Sequence, residues 1–173
     1  MLALLRAAKA YRERDWLMIL VAFNHGLRAS EVVSFTKDAV RDGFLTIQRL
    51  KGSLRTVQPL VEHAEPLLSE RTALIDWAEK SSFNQPVFPV SRQHFWRIVQ
   101  RAARTAQIPE HKAHPHILKH SIAMQTIHSA GIENVRQHLG HKSISSTGSY
   151  LKVTDADAAR AIHKAINVPE ETD

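Results

Sequence analysis

The hydrophobic pattern of this chain leaves its helical period in one segment, and that segment limits what the chain can fold into. On either side of residues 42–60 the apolar residues recur every three or four positions, which predicts amphipathic helices. Within residues 42–60 the strand-forming segment FLTI is followed by turn residues at Lys51, Gly52 and Ser53, and then by LRTV at residues 54–57. We therefore predict a mainly α-helical (α+β) fold with one small antiparallel β-hairpin.

The strongest helical face lies in residues 16–23, where Trp16, Ile19, Leu20 and Phe23 recur at i, i+3, i+4 and i+7. Gly26 follows as a helix stop signal. The same kind of pattern predicts a helix over residues 64–80, a helix capped by Ser91, a helix over residues 116–130 and a last helix that begins near Thr154.

Charge and composition narrow the function. The 173 residues carry a formal net charge of +6 and a sequence pI of about 9.9, which favours a polyanionic partner because phosphate contacts drive nucleic-acid binding. The sequence contains no cysteine, which excludes thiol chemistry, disulfides and cysteine-ligated zinc. No apolar run approaches the roughly 18 residues of a membrane span, and we see no secretory signal, so we expect a cytoplasmic protein without a membrane partner.

The length and the absence of internal repeats predict a single domain with a core of its own. We assign this domain to residues 1–168. The remaining residues, 169–173, are expected to form a disordered acidic tail.

Five short motifs occur in order along most of this domain. They are GLRASE, with Arg28 and Glu31; KG, with Lys51; HILKH, which begins at His116; LGH, which ends at His141; and a tyrosine nine residues later, Tyr150. In this order and on these elements the motifs resemble those of the tyrosine recombinases, or phage integrase family, of the Xer type. Type IB topoisomerases share the chemistry, but the LGH motif favours the recombinases.

The resemblance implies a catalytic site that breaks and rejoins DNA strands. Arg28 would hold two non-bridging oxygens of the scissile phosphate with its planar fork of donors. Tyr150 would attack the phosphorus to form a 3′-phosphotyrosine, and Lys51 would give a proton to the departing 5′-oxygen. His116 and His141 would hydrogen-bond the phosphate or assist proton movement.

The resemblance also implies the surroundings of this chemistry. Glu31 would orient the site without itself reacting. No cofactor is expected, neither ATP nor a metal, because the energy of the phosphodiester is stored in the tyrosyl link. The partner is double-stranded DNA; recombination implies a tetramer around two duplexes, with a monomer in the absence of DNA. The segment after Tyr150 would pack on a neighbouring subunit or on its own core.

One motif departs from the family pattern at Lys119, where the second active-site arginine is expected. Lysine keeps the charge but lacks the bidentate fork. Losing one transition-state donor typically costs on the order of 10²–10³ in rate. Three interpretations stay open: a slow recombinase, an active variant with a rearranged phosphate clamp, and a catalytically impaired DNA-binding or regulatory relative.

The N-terminal end also departs from the family pattern. Recombinases of this family usually carry an N-terminal core-binding domain, whereas residues 2–9 already resemble the first helix of the catalytic domain. The chain is then either an excised catalytic domain or a minimal relative similar to the fimbrial-switch inversion enzymes.

A basic helix side and a group of histidines allow further interpretations. Arg92, Arg97 and Arg101 occupy one side of a predicted helix, either as contacts to the DNA backbone or as a solvated face. His116 and His120 have the i, i+4 spacing of two metal ligands, as in a metal-dependent hydrolase. No nearby carboxylate has matching spacing, so we predict no metal site.

Overall fold

The computed structural model describes residues 1–49, 53–148 and 163. In chain order the helices are α1 (Leu2–Tyr11), α2 (Glu13–Asn24), α3 (Ala29–Val32), α4 (Arg71–Glu79), α5 (Arg92–Thr105), α6 (Pro115–Ala130), α7 (Ile132–His138) and α8 (Ser145–Gly148). The strands are β1 (Val40–Arg41), β2 (Phe44–Ile47) and β3 (Thr56–Pro59), and 3-10 turns lie at Lys37–Ala39, Pro66–Leu68 and Glu110–Lys112. The predicted mainly α-helical fold with a small antiparallel sheet is confirmed.

Helix α2 lies at the centre of the core. Its residues 15–23 are all buried, because α1, α5 and α6 pack around it. The one polar atom of Trp16 is satisfied, since its indole N–H donates to the carbonyl of Leu67 at 3.0 Å. The chain leaves α2 through Gly26, whose φ is +57° and where a Cβ atom would lie 2.5 Å from Leu139 Cδ2. Glycine is therefore required at the turn that leads to Arg28.

The sheet has the strand order β1-β2-β3, and both pairs are antiparallel. Leu45 and Ile47 of β2 point into the core and are buried, as the alternation predicts. Strand β3 begins at Thr56, two residues later than the predicted returning strand, and it includes Pro59. Because β3 is an edge strand, a proline at its end removes no ladder hydrogen bond.

The helix predicted over residues 64–80 is wrong in extent. The structure divides it into the 3-10 turn Pro66–Leu68 and helix α4. The reason is a tertiary contact, since the backbone N–H groups of Glu70 and Arg71 both donate to the carbonyl of Val61, at 3.0 and 3.1 Å.

Other predictions concern the C-terminal end. The last helix, the domain boundary at residue 168 and the acidic tail lie outside the described residues, apart from His163, which is helical and exposed. Across the described part of the chain, no helix combines the length and the apolar character needed to cross a bilayer.

Candidate active site

Arg28 and Glu31 form a local unit at the start of α3. The carboxylate of Glu31 accepts the backbone N–H of Arg28 at 2.8 Å and its Nη1 at 2.9 Å. The Arg28 side chain keeps 35% of its surface exposed, whereas that of Glu31 is 1% exposed. The buried carboxylate thus holds one edge of the guanidinium and leaves the rest open to a ligand.

Glu31 is charged despite its burial. Burial raises the pKa of its carboxyl, but the backbone N–H of Arg28 and the charges of Arg49, Lys119 and Arg28 together keep the pKa below its ordinary value. One carboxylate therefore lies among three cations, and the pocket retains an excess of positive charge.

Arg49 is a functional candidate that the sequence reasoning missed. Its side chain is fully buried, and it donates to the carbonyls of His25 (2.9 Å), Gly26 (3.1 Å) and His138 (2.8 Å), to Glu31 Oε2 (3.1 Å) and to Thr56 Oγ1 (3.2 Å). Arg49 thereby joins the segment before Arg28 to the end of α7, directly before the LGH motif. One signal existed in the sequence: Arg49 continues the inward alternation of Leu45 and Ile47.

Lys119 lies on α6 with only 2% of its surface exposed. Its Nζ donates to the carbonyl of Leu139 at 3.0 Å, so it ties α6 to the LGH motif. Burial, then repulsion from Arg49 and Arg28, lowers the pKa of Lys119 to about 7, although Glu31 opposes the shift. A single ammonium bonded to a backbone carbonyl cannot reproduce the forked phosphate contact of an arginine.

His116 lies in the first turn of α6, where its side chain is exposed. Its ring centroid is 4.6 Å from that of His120, in an edge-on arrangement. Although the side chain is exposed, partial desolvation by the surrounding protein lowers the pKa of His116, and the neighbouring His120 and His114 lower it further. Within residues 1–49 and 53–148, no group of three or more histidine, aspartate and glutamate side chains is arranged to hold a metal ion.

His141 follows α7 and is half-buried. Its Nδ1 lies 2.9 Å from the hydroxyl of Thr147, and its carbonyl accepts from Arg136 Nη1 at 2.6 Å. Burial, followed by the charges of Lys119, Arg28, Arg49 and Arg136, lowers the pKa of His141 to about 4. The ring is therefore neutral at pH 7.

An open cleft of about 710 Å³ joins part of this site to α5. Its lining includes Arg28, His116, Arg92, Arg97 and the half-exposed Trp96. Two of the three predicted DNA-contact arginines therefore lie in the same cleft as predicted catalytic residues.

Arg101, the third predicted DNA-contact residue, does not line this cleft. Its guanidinium forms an ion pair with the buried carboxylate of Asp15 and lies 3.7 Å above the ring of Tyr11. The sequence could not foresee this, because Asp15 belongs to a different helix, 86 residues away. Arg101 thus connects α5 to the N-terminal helices.

The predicted nucleophile Tyr150 and the predicted acid Lys51 lie outside the described residues. The chain that flanks Lys51 does approach the site, because Ser53 Oγ is 3.5 Å from Arg28 Nη2.

Comparison with known proteins defines the family. The phage integrase family profile matches residues 1–157, so the chain belongs to that family. The chain is 35% identical over 156 residues to the tyrosine recombinase XerD of Xanthomonas campestris, covering 81% of this chain and 48% of that protein. It is 29% identical over 162 residues to the type 1 fimbriae regulatory protein FimE of Escherichia coli, covering 85% of this chain and 77% of that protein.

A solved structure with the same fold is the XerH site-specific recombinase bound to its difH substrate. It is 16% identical, with a TM-score of 0.73 over 96% of this chain and 51% of that one. The chain spans about half the length of the Xer relatives that it matches. The predicted fold family is confirmed.

Proposed function

We propose that this chain is the catalytic part of a site-specific DNA recombinase that cleaves and rejoins strands through a 3′-phosphotyrosine at Tyr150. The observation that carries the proposal is the meeting of Arg28, Lys119, His116 and His141. These residues come from three distant motifs: Arg28 and His116 line the same cleft, and Lys119 bonds the carbonyl of Leu139, two residues before His141. The charges of Arg28 and Lys119 lower the pKa of both histidines. Arg28 supplies a permanent positive charge and the two neutral histidines supply uncharged donors, which together suit the binding of a phosphate.

In the proposed phosphate-binding site, Arg28, His116 and His141 each act as a hydrogen-bond donor. Arg28 offers the guanidinium edge that Glu31 leaves free. His116 and His141 have lowered pKa values, so each is a neutral ring that can donate one N–H without adding charge. Such donors stabilise the extra negative charge that develops on the non-bridging oxygens.

In the proposed step the phenolic oxygen of Tyr150 forms a bond to the phosphorus, and the bond from phosphorus to the 5′-oxygen breaks. The phenol gives its proton to solvent water, and the leaving 5′-oxygen takes one from Lys51. The approach of Ser53 to Arg28 supports a position for the Lys51 hairpin beside the phosphate. Rejoining is the reverse reaction, with a 5′-hydroxyl of the partner strand as nucleophile.

The proposed DNA partner lies along α5. Arg92 and Arg97 continue the positive charge of the cleft away from Arg28, as a path for the phosphate backbone requires. We further propose a monomer in solution, a tetramer on paired DNA sites, and a location in the cytoplasm with the DNA. Size-exclusion chromatography with and without DNA distinguishes these states.

Covalent trapping tests the proposal. The protein is incubated with nicked duplexes drawn from the DNA that flanks its gene, and SDS-stable adducts are separated on a gel. We expect an adduct with the wild type and none with Tyr150→Phe, while both proteins bind the DNA equally. Equal binding with no wild-type adduct on any duplex would contradict the catalytic proposal.

A second candidate function is that of an impaired DNA-binding relative. The contact that favours it is the bond from Lys119 Nζ to the Leu139 carbonyl, which turns this cation toward the protein. Lys119→Arg separates the two in the same gel. An adduct that forms only in Lys119→Arg would indicate an impaired site, whereas a wild-type adduct shows that lysine suffices.

A further inference from the structure

The hydroxyl of Thr147 forms a hydrogen bond with one ring nitrogen of His141. Thr147 lies on α8 and is fully buried, and its Oγ1 is 2.9 Å from His141 Nδ1. Its backbone N–H is used elsewhere, since it donates to the carbonyl of Ile144 at 2.8 Å. Within the described part of the chain, His141 Nδ1 is the one hydrogen-bond partner of this hydroxyl.

Counting donors and acceptors fixes the direction of this bond. A buried hydroxyl needs an acceptor for its proton, and leaving that proton unpaired is costly. If Nδ1 carried a proton, the Thr147 hydroxyl could only accept, and its own proton would have no acceptor among the described residues. Thr147 therefore donates and Nδ1 accepts. A neutral imidazole with an accepting Nδ1 carries its proton on Nε2.

Two hydrogen bonds to Arg136 also fix the main chain of His141. The N–H of His141 donates to the carbonyl of Arg136 at 3.0 Å, and Arg136 Nη1 returns a bond to the carbonyl of His141. With the main chain fixed and Nδ1 occupied, Nε2 is the ring nitrogen that the described residues leave for a substrate.

We propose that Thr147 is a positioning residue that holds His141 as the Nε2–H tautomer, so that His141 donates to the scissile phosphate and cannot accept the proton of the attacking tyrosine. The role at the phosphate rests on the proposed recombinase function. The tautomer itself is a property of the free protein. Of the two roles that the family resemblance leaves to His141, the geometry selects hydrogen-bond donation over proton movement.

The direct test is a long-range ¹H–¹⁵N correlation spectrum of the histidine rings near pH 7. We expect His141 in the wild type to show a protonated Nε2 and an unprotonated Nδ1. Thr147→Val removes the hydroxyl at nearly constant shape and should give a mixture of tautomers, whereas Thr147→Ser restores the single tautomer. Thr126→Val is the matched control, because the Thr126 hydroxyl bonds only the carbonyl of Ile122 within its own helix at 2.7 Å.

A proton on Nδ1 in the wild type would overturn the proposal, and so would an unchanged tautomer in a folded Thr147→Val. If Thr147→Val does not fold, Thr147→Ala, which removes the hydroxyl without adding bulk, is measured in its place. None of these readings depends on DNA cleavage, so they stand even if no covalent adduct ever forms.

The rate of adduct formation tests the role of Thr147 in function. Under single-turnover conditions we expect Thr147→Val to slow adduct formation about tenfold or more, which is typical for loss of a group that orients a functional histidine. Thr147→Ser and Thr126→Val should stay within about threefold of the wild type, and DNA affinity should not change. Equal losses of affinity and rate in Thr147→Val would indicate a general structural role and refute the positioning role.

Discussion

Arg49 should be among the most sensitive positions of this domain, and replacing it by methionine tests why. The substitution keeps an apolar stem of similar length but removes all five hydrogen bonds of the guanidinium. The Glu31 carboxylate then loses its ion pair with Arg49 and keeps the one with Arg28. The carbonyls of His25, Gly26 and His138 each lose a donor as well.

The size of the effect follows from this geometry. Removing one partner of a buried ion pair costs up to about 3–5 kcal/mol when the other charge is left uncompensated. Glu31 keeps its bonds from Arg28, but the carbonyls that lose the Arg49 donor add about 1–3 kcal/mol for each one left unsatisfied. We therefore expect Arg49→Met to lower the free energy of unfolding by about 3–5 kcal/mol. Arg41→Met is the matched control: Arg41 lies on β1 and pairs with Asp38 through a side chain that is 70% exposed. It should change stability by less than about 1 kcal/mol.

Urea unfolding followed by circular dichroism measures both variants. A double-mutant cycle with Glu31→Gln should give a coupling free energy of about 1–3 kcal/mol between the two side chains. Arg49→Lys keeps the charge but not the fork, so it should lie between the wild type and Arg49→Met. A loss below about 1 kcal/mol in Arg49→Met would refute the reasoning.

Three further predictions concern residues around the same site. The pKa of Lys119 is about 7 in the folded protein against 10.5 ordinarily, so the unfolded chain binds more protons between these values. Urea titrations from pH 7 to 9 should show wild-type stability rising relative to Lys119→Met, with a slope that increases toward about 1.4 kcal/mol per pH unit as the folded-state lysine loses its proton. Equal slopes would contradict this. Burial is the main cause that lowers the pKa of His138 to about 4, so stability should fall as the pH drops from 6.5 toward 4, by at most about 3 kcal/mol from this residue. His138→Gln should remove that part of the pH dependence. Unchanged pH dependence between pH 6.5 and 4 in this variant would contradict the prediction. Gly140→Ala puts a Cβ 2.9 Å from both Arg49 Cγ and the Leu54 carbonyl at a φ of +67°, and thermal melts should show a loss of about 1–3 kcal/mol. Gly148→Ala, whose Cβ would have no atom of the described residues within 4 Å, should be nearly neutral, and equal effects would refute the steric argument.

Local patterns explain which parts of the fold could be predicted from the sequence. Trp16 and Phe23 belong to one helical face, and Leu45 and Ile47 to one strand face, so the period of each segment identifies its element. The break at Glu70 could not be predicted, because it depends on the carbonyl of a residue nine positions earlier that only the fold brings close.

The same distinction applies to the site. Arg28 and Glu31 are three residues apart, so their contact could be inferred from their motif. Arg49 bonds the carbonyl of His138 across 89 residues of sequence, and no local rule predicts that pairing. Thr147 likewise gave no signal, since the direction of its hydroxyl bond follows only from its burial in the folded chain.

The central claim is that Tyr150 becomes covalently joined to DNA, and mapping that link tests it most directly. The sequence contains two tyrosines, so Tyr11→Phe is a natural control for Tyr150→Phe. The trapped adduct is digested with nuclease and protease, and the modified peptide is identified by mass spectrometry. We expect a nucleotide on Tyr150 in the wild type and in Tyr11→Phe, together with a free 5′-hydroxyl on the released strand. A nucleotide on any other residue, or cleaved DNA with no protein attached, would contradict the claim.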